Sequence, residues 1–186
     1  MAYKLEDGVA LLERTPAALD ALLRDLPAFW TLSNEGAAPD GQPSFTVRDT
    51  VAHLIHADRT NWMPRARHIL EQGESQPFPP FRRFGHIEAS AGKPLNALLD
   101  EFAKVRAESL AALAALGLTP EDLARRGQHP AFASVTLGEL LATWTAHDLT
   151  HLHQMARVMA YQVREAVGPF RKFLGVLECA GHSASA

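Results

Sequence analysis

Apolar residues recur at three- and four-residue intervals in four long segments of this chain, and alternating β-branched runs are nearly absent. Residues at i, i+3, i+4 and i+7 share one face of an α-helix, so each segment predicts a helix with one buried side. The first, Leu5 to Leu26, carries Leu11, Leu12, Leu19, Leu22 and Leu23 on its stripe. Inside it Thr15-Pro16 reads as an N-cap followed by proline at the first helical position, so a kink or division is expected there. A second helix is predicted from Val47 to Gln72 behind the cap Thr46, with Val47, Val51, Leu54, Ile55, Asp58 and Trp62 as its strongest stripe. A third, Leu95 to Leu116, is rich in Ala and Leu and stops at Gly117. Thr136 caps a fourth, Leu137 to Tyr161. Thr119-Pro-Glu-Asp122 predicts a short helical turn, and Pro169 to Cys179 a short terminal helix.

Two stretches break the pattern. Ser33 to Ser44 is rich in Gly, Pro and Asn and reads as a loop. Gly73 to Gly92, with Pro77, Pro79 and Pro80, reads as a long irregular connection. Four long amphipathic helices without predicted strands give an all-α four-helix bundle, up-down with a long crossover, plus a short C-terminal helix. At 186 residues the expectation is one domain over 1–180 and a polar tail over 181–186.

Composition narrows the function classes. A 47% hydrophobic and 21% charged chain is that of a soluble globular protein. A net charge of −3, with basic pairs no longer than Arg82-Arg83 or Arg125-Arg126 on a scattered background, argues against a nucleic-acid surface. One cysteine, Cys179, excludes an internal disulfide, fits a reducing cytoplasm and reads as a small buried residue. No uninterrupted apolar run approaches about 18 residues and no basic-plus-apolar leader opens the chain, so an unanchored cytoplasmic protein is expected.

The fourth helix carries the chemistry, in His147-Asp-Leu-Thr-His-Leu-His-Gln154. Its stripe runs Leu137, Leu140, Trp144, His147, His151, Met155, Val158, so two imidazoles point where an apolar side chain is the default. Buried imidazoles need partners, which a metal or a hydrogen-bond network supplies. Four residues apart on one face, the pair is spaced to chelate one divalent ion. The Glu of the His-Glu-x-x-His protease motif is missing. Asp148 lies at the stripe's edge, Gln154 is placed to donate a hydrogen bond inward or only to pack, and His153 points to the opposite side. A further ligand must come from another helix, and His53, His56 and Asp58 are all candidates. Periodicity favours Asp58 and leaves His53 on a flank with Thr50 and Ala57. Trp62 and Trp144 read as core, and His129 as a turn residue. His86 and Arg82-Arg83 read as solvated loop residues with the chemistry to contact an anionic substrate.

On these residues the chain resembles the DinB-like (YfiT-like) superfamily of four-helix metal-dependent enzymes. The likeness lies in Phe45-Thr-Val-Arg-Asp-Thr-Val-Ala-His-Leu54 and in His147 to Gln154. Leu116 to Leu123, Gln128-His-Pro130, Val135-Thr-Leu137 and Arg164 to Pro169 extend it, so it spans roughly Leu11 to Leu174. The resemblance implies a metal held by one histidine of the second helix and two of the fourth, which fall on His53, His147 and His151. It implies an open coordination position, with zinc the default for three imidazoles and nickel, iron or manganese compatible with them. Asp148 and Gln154 become candidates for orienting those ligands. Members include bacillithiol- and mycothiol-dependent enzymes. The implied activity is therefore transfer of a low-molecular-weight thiol cosubstrate to an electrophile, or hydrolysis of a small molecule. A non-catalytic metal- or ligand-binding stress-response bundle is the alternative. The expected partners are a small-molecule substrate and, through an exposed helical flank, a second copy in a homodimer, with neither nucleic acid nor membrane among them.

Overall fold

A computed structural model describes residues 3–36 and 44–178. Cys179, the 181–186 tail and most of the expected Ser33–Ser44 loop lie outside the described residues. In chain order the helices are α1 (Leu5–Leu12), α2 (Thr15–Leu23), α3 (Ala28–Thr31), α4 (Val47–Ala57), α5 (Met63–Gln72), α6 (Gly85–Ala89), α7 (Leu95–Ala115), α8 (Pro120–Leu123) and α9 (Leu137–Tyr161). The first predicted helix divides at Thr15-Pro16 as expected. Thr15 is not its cap, however: Arg14 is, and the Thr15 hydroxyl donates back to the Leu11 carbonyl at 3.3 Å. Thr46, Thr119 and Thr136 each close a reciprocal capping box, with Asp49, Asp122 and Glu139 respectively. Such boxes satisfy amide donors that the first helical turn leaves without partners, typically worth about 1 kcal/mol each.

The second predicted helix is interrupted. Asp58–Trp62 forms a π-helical turn between α4 and α5. Pro64 stands in the first turn of α5, and a proline nitrogen has no hydrogen to donate to the carbonyl four residues back. The widened turn absorbs that lost bond and resets the helix phase, so Asp58, Asn61, Trp62 and Met63 are all buried.

Two apolar clusters fill the bundle. One joins Leu19, Leu23, Val47, Val51, Leu98, Phe102, Met155 and Val158. The other joins Leu12, Trp62, Ile69, Leu113, Leu137 and Trp144. Their membership fixes the helix directions: α1–α2 and α9 run from the second cluster to the first, while α4–α5 and α7 run the opposite way. The order is therefore up, down, down, up, and the crossover is the 73–94 connection between the parallel rods α4–α5 and α7. Between the two clusters α7 carries Arg106, and α9 carries His147, Asp148 and His151, while Asp58 of the π turn faces Arg106.

Three expectations need correction. The bundle is not free of strands: β1 (Arg126–His129) pairs antiparallel with β2 (Ala133–Thr136) in a small hairpin before α9. Gly127 permits it, because a Cβ there would stand 2.7 Å from Ile69 and 2.9 Å from the Phe78 ring. The crossover is not wholly irregular, since α6 forms within it. The terminal segment makes two 3₁₀ turns, Gly168–Phe173 and Gly175–Leu177, instead of an α-helix. They bury none of their residues and begin at a Gly168 held at φ +53°.

Candidate metal centre

His53 comes from the middle of α4, and His147 and His151 from the middle of α9, where the two helices run antiparallel beside each other. The Nε2 atom of His147 lies 3.0 Å from that of His151 and 3.3 Å from that of His53. One ligand nitrogen from each of the three falls within 4.8 Å of the others. Two nitrogens about 2.0–2.1 Å from a shared tetrahedral ion stand about 3.3 Å apart, so the convergence suits one ion. Of the second-helix candidates only His53 reaches this point. His56 turns outward and sets its Nε2 3.0 Å from the Arg82 carbonyl, while Asp58 faces Arg106.

The other ring nitrogen of His151 assigns its tautomer. His151 Nδ1 lies 2.7 Å from Gln154 Oε1, so Nδ1 donates and the Nε2 lone pair points to the shared centre. Gln154, placed by the sequence to donate a hydrogen bond inward or only to pack, instead accepts one from His151. The Nδ1 atoms of His53 and His147 are buried without a hydrogen-bond partner, as is the indole Nε1 of Trp62.

Apolar rings enclose the centre. Phe45 and Phe81 stand 5.5 and 6.0 Å from the His53 ring, and Trp62 stands 5.0 Å from that of His147. Trp62 and Trp144 stack at 6.0 Å and are buried, so they are core residues as expected, with Trp62 also a wall of the site. His86 contradicts the solvated-loop reading: it is 1% exposed, edge-on to His53 at 5.4 Å, with Nδ1 donating to the Arg83 carbonyl at 3.1 Å. The crossover folds it inward, which only tertiary structure reveals. His129, expected in a turn, ends β1 and sits 3.2 Å from Arg65 Nη1, away from the centre. His153 is exposed, as its side of the helix implied.

Beneath the histidines lies a buried ionic layer that the sequence reading missed. Arg106, 1% exposed, binds Asp58 through Nε at 2.7 Å and Nη2 at 3.1 Å, and Asp148 through Nη1 at 2.5 Å and Nη2 at 3.0 Å. Its Nη1 also donates to the Leu12 carbonyl at 3.0 Å, and Trp144 Nε1 donates to Asp58 at 3.1 Å. Both oxygens of Asp148 therefore accept from Arg106, and its charge acts on His151 through space. Two carboxylates around one guanidinium leave a net negative charge one residue from His147, which complements a cation at the triad.

Burial first, and then mutual repulsion among the rings, lowers the pKa of His53 to about 2 and that of His147 well below the ordinary value. Burial lowers His151 too, with Gln154 pulling the other way. All three are thus neutral at physiological pH, the state in which imidazole binds a metal. The depressed values also make stability pH-dependent. Below about 6.5 the unfolded chain takes up protons that folded His53 refuses, so this contribution holds above that pH and is lost on acidification. At pH 5 the loss from His53 alone is about 2 kcal/mol. Urea unfolding of chelator-treated protein at pH 7.5 and pH 5 should show wild type losing that much more than His53→Asn. Asp58, whose carboxyl burial raises to about 6 against the pull of Arg106, titrates in both proteins and cancels. Equal acid sensitivity would refute this reading of His53.

The family model of the DinB superfamily matches residues 11–155. Among solved structures the chain is similar to YfiT from Bacillus subtilis, described as a probable metal-dependent hydrolase with an unusual four-helix bundle topology. The TM-score is 0.65 at 18% identity, covering 89% of this chain and 94% of that one. No curated protein matches the sequence. No described helix is long and apolar enough to cross a membrane.

Proposed function

The chain belongs to the DinB superfamily, and from that membership and the meeting of three imidazoles we propose a metal-dependent hydrolase of a small molecule, its divalent ion, zinc by ligand preference, held by His53, His147 and His151. The observation that carries the proposal is the 3.0 and 3.3 Å separation of Nε2 atoms from two different helices. The description of YfiT as a probable metal-dependent hydrolase supports the same class. The ion supplies Lewis acidity, polarising a substrate oxygen and lowering the pKa of water, or of a thiol cosubstrate if one takes its place.

The chain's own residues do the rest. Gln154 holds His151 in the tautomer whose Nε2 lone pair faces the centre. Phe45, Phe81 and Trp62 keep bulk water from the histidines, which strengthens every electrostatic contact inside. Three protein ligands leave a coordination position for substrate, the arrangement of a catalytic zinc site and not a closed structural one.

Zinc-loaded protein should hydrolyse members of a panel of small esters, amides and lactones, and a chelator should abolish the activity. In Gln154→Leu the zinc concentration giving half-maximal activity should rise about 10–100-fold, the usual cost of losing a group that orients a ligand. Sulfur transfer from cysteine-based thiols with no hydrolysis would replace the hydrolase with a transferase. Zinc-replete protein inert to both would leave a binding protein.

A further inference from the structure

Arg83 is exposed, and among the described residues its guanidinium pairs with no carboxylate. It is nonetheless tied to the centre twice. Its carbonyl accepts from Nδ1 of buried His86, whose ring meets His53 edge-on at 5.4 Å. Its guanidinium lies 5.6 Å from the centroid of Phe84, which meets Phe45 at 6.0 Å, and Phe45 in turn meets His53 at 5.5 Å. A cationic group is thus joined to the histidine triad along a continuous aromatic surface. We propose that Arg83 is a specificity-determining residue that binds the carboxylate of an anionic substrate whose other end lies at the three-histidine centre, with an apolar spacer along Phe84 and Phe45.

A guanidinium without an acidic partner retains its donor fork, which matches a carboxylate in bidentate fashion. The backbone bond from His86 anchors the residue, so less freedom is lost when a ligand is bound. The neighbouring Arg82 is placed otherwise: its carbonyl is engaged by His56, on the outer side of α4.

The inference rests on a metal at the three histidines, and the test separates the two claims. Full-length protein loaded with cobalt(II) is titrated with acetohydroxamic acid and with succinic acid monohydroxamate, followed by the visible absorption of the cobalt. Both probes chelate the ion, and only the second carries a carboxylate at the far end. Succinic acid monohydroxamate should bind on the order of tenfold or more tightly than acetohydroxamic acid, as a charged hydrogen bond implies. Arg83→Gln should erase that advantage, Arg83→Lys should keep part of it, and added salt should reduce it in the wild type. Failure to take up cobalt would overturn the metal reading and this inference with it. Cobalt uptake with equal affinity for both probes, or with an advantage unchanged in Arg83→Gln, would overturn the role of Arg83 alone.

Discussion

His147→Ala should abolish tight zinc binding while leaving the bundle folded. His147 is the middle member of the triad: its Nε2 is within 3.3 Å of both other Nε2 atoms. Its loss leaves His53 and His151 as a two-point site. Losing a group that merely orients a ligand costs about 10–100-fold in metal affinity, so losing the central ligand should cost more than about 100-fold. Dialysed wild-type protein should retain one equivalent of zinc, and His147→Ala almost none. His153→Ala, an exposed change two residues beyond His151, should match the wild type. Thermal unfolding offers an independent reading, because a ligand at 100 times its Kd stabilises by about 2.7 kcal/mol. Zinc should therefore raise the Tm of wild type and of His153→Ala, and leave that of His147→Ala unmoved. Undiminished zinc retention in His147→Ala would remove the basis for the proposed function.

The sequence carried the rods, the caps Thr46, Thr119 and Thr136 though not Thr15, and two of the three converging histidines, because each is a local property. Apolar period, a threonine before an acidic third position and an i,i+4 pair need no knowledge of neighbours. The partner on the second rod was harder. Asp58 stood on the stronger stripe and is indeed buried, but burial of a polar group does not say whether a metal or another side chain satisfies it. The answer lies on α7, where Arg106 occupies a stripe with Leu99, Phe102, Ser109 and Leu113, all buried. An arginine on an apolar stripe with two inward aspartates elsewhere was a legible signal. So was Pro64, whose missing N–H accounts for the π turn that brings Trp62 against His147. Two features were not legible. The hairpin strands are four residues each, too short for a period-2 pattern to stand out. His86 is buried by the path of the crossover, which no local rule encodes.

Arg106→Leu should be the most destabilising single change in the protein. Arg106 donates to three of the other rods at once: α1 through the Leu12 carbonyl, the π turn through Asp58, and α9 through Asp148. Removing the guanidinium leaves two carboxylates, 2% and 0% exposed, facing each other without a cation. Breaking a buried pair by deleting one partner costs about 3–5 kcal/mol, because the surviving charge keeps its desolvation penalty. A loss of that size should lower the Tm by on the order of 10 °C for a domain of this length. The pH dependence identifies the cause. Without Arg106 the Asp58 carboxyl, already raised by burial, loses the cation that pulls its pKa down, so the variant is stabilised where Asp58 is protonated and loses that stability as pH rises through the further raised value. The gap between Arg106→Leu and wild type in urea midpoint, measured on chelator-treated protein, should therefore be widest near pH 8 and narrow toward pH 5. A cavity left by the shorter side chain would give a gap independent of pH. Asp148 adjoins His147 in sequence, so freeing it should also disturb the ring that touches both other ligands, and zinc affinity should fall together with stability. A variant as stable as wild type at pH 8 would mean that the ionic layer does not hold the rods, and that the histidines are positioned by apolar packing alone.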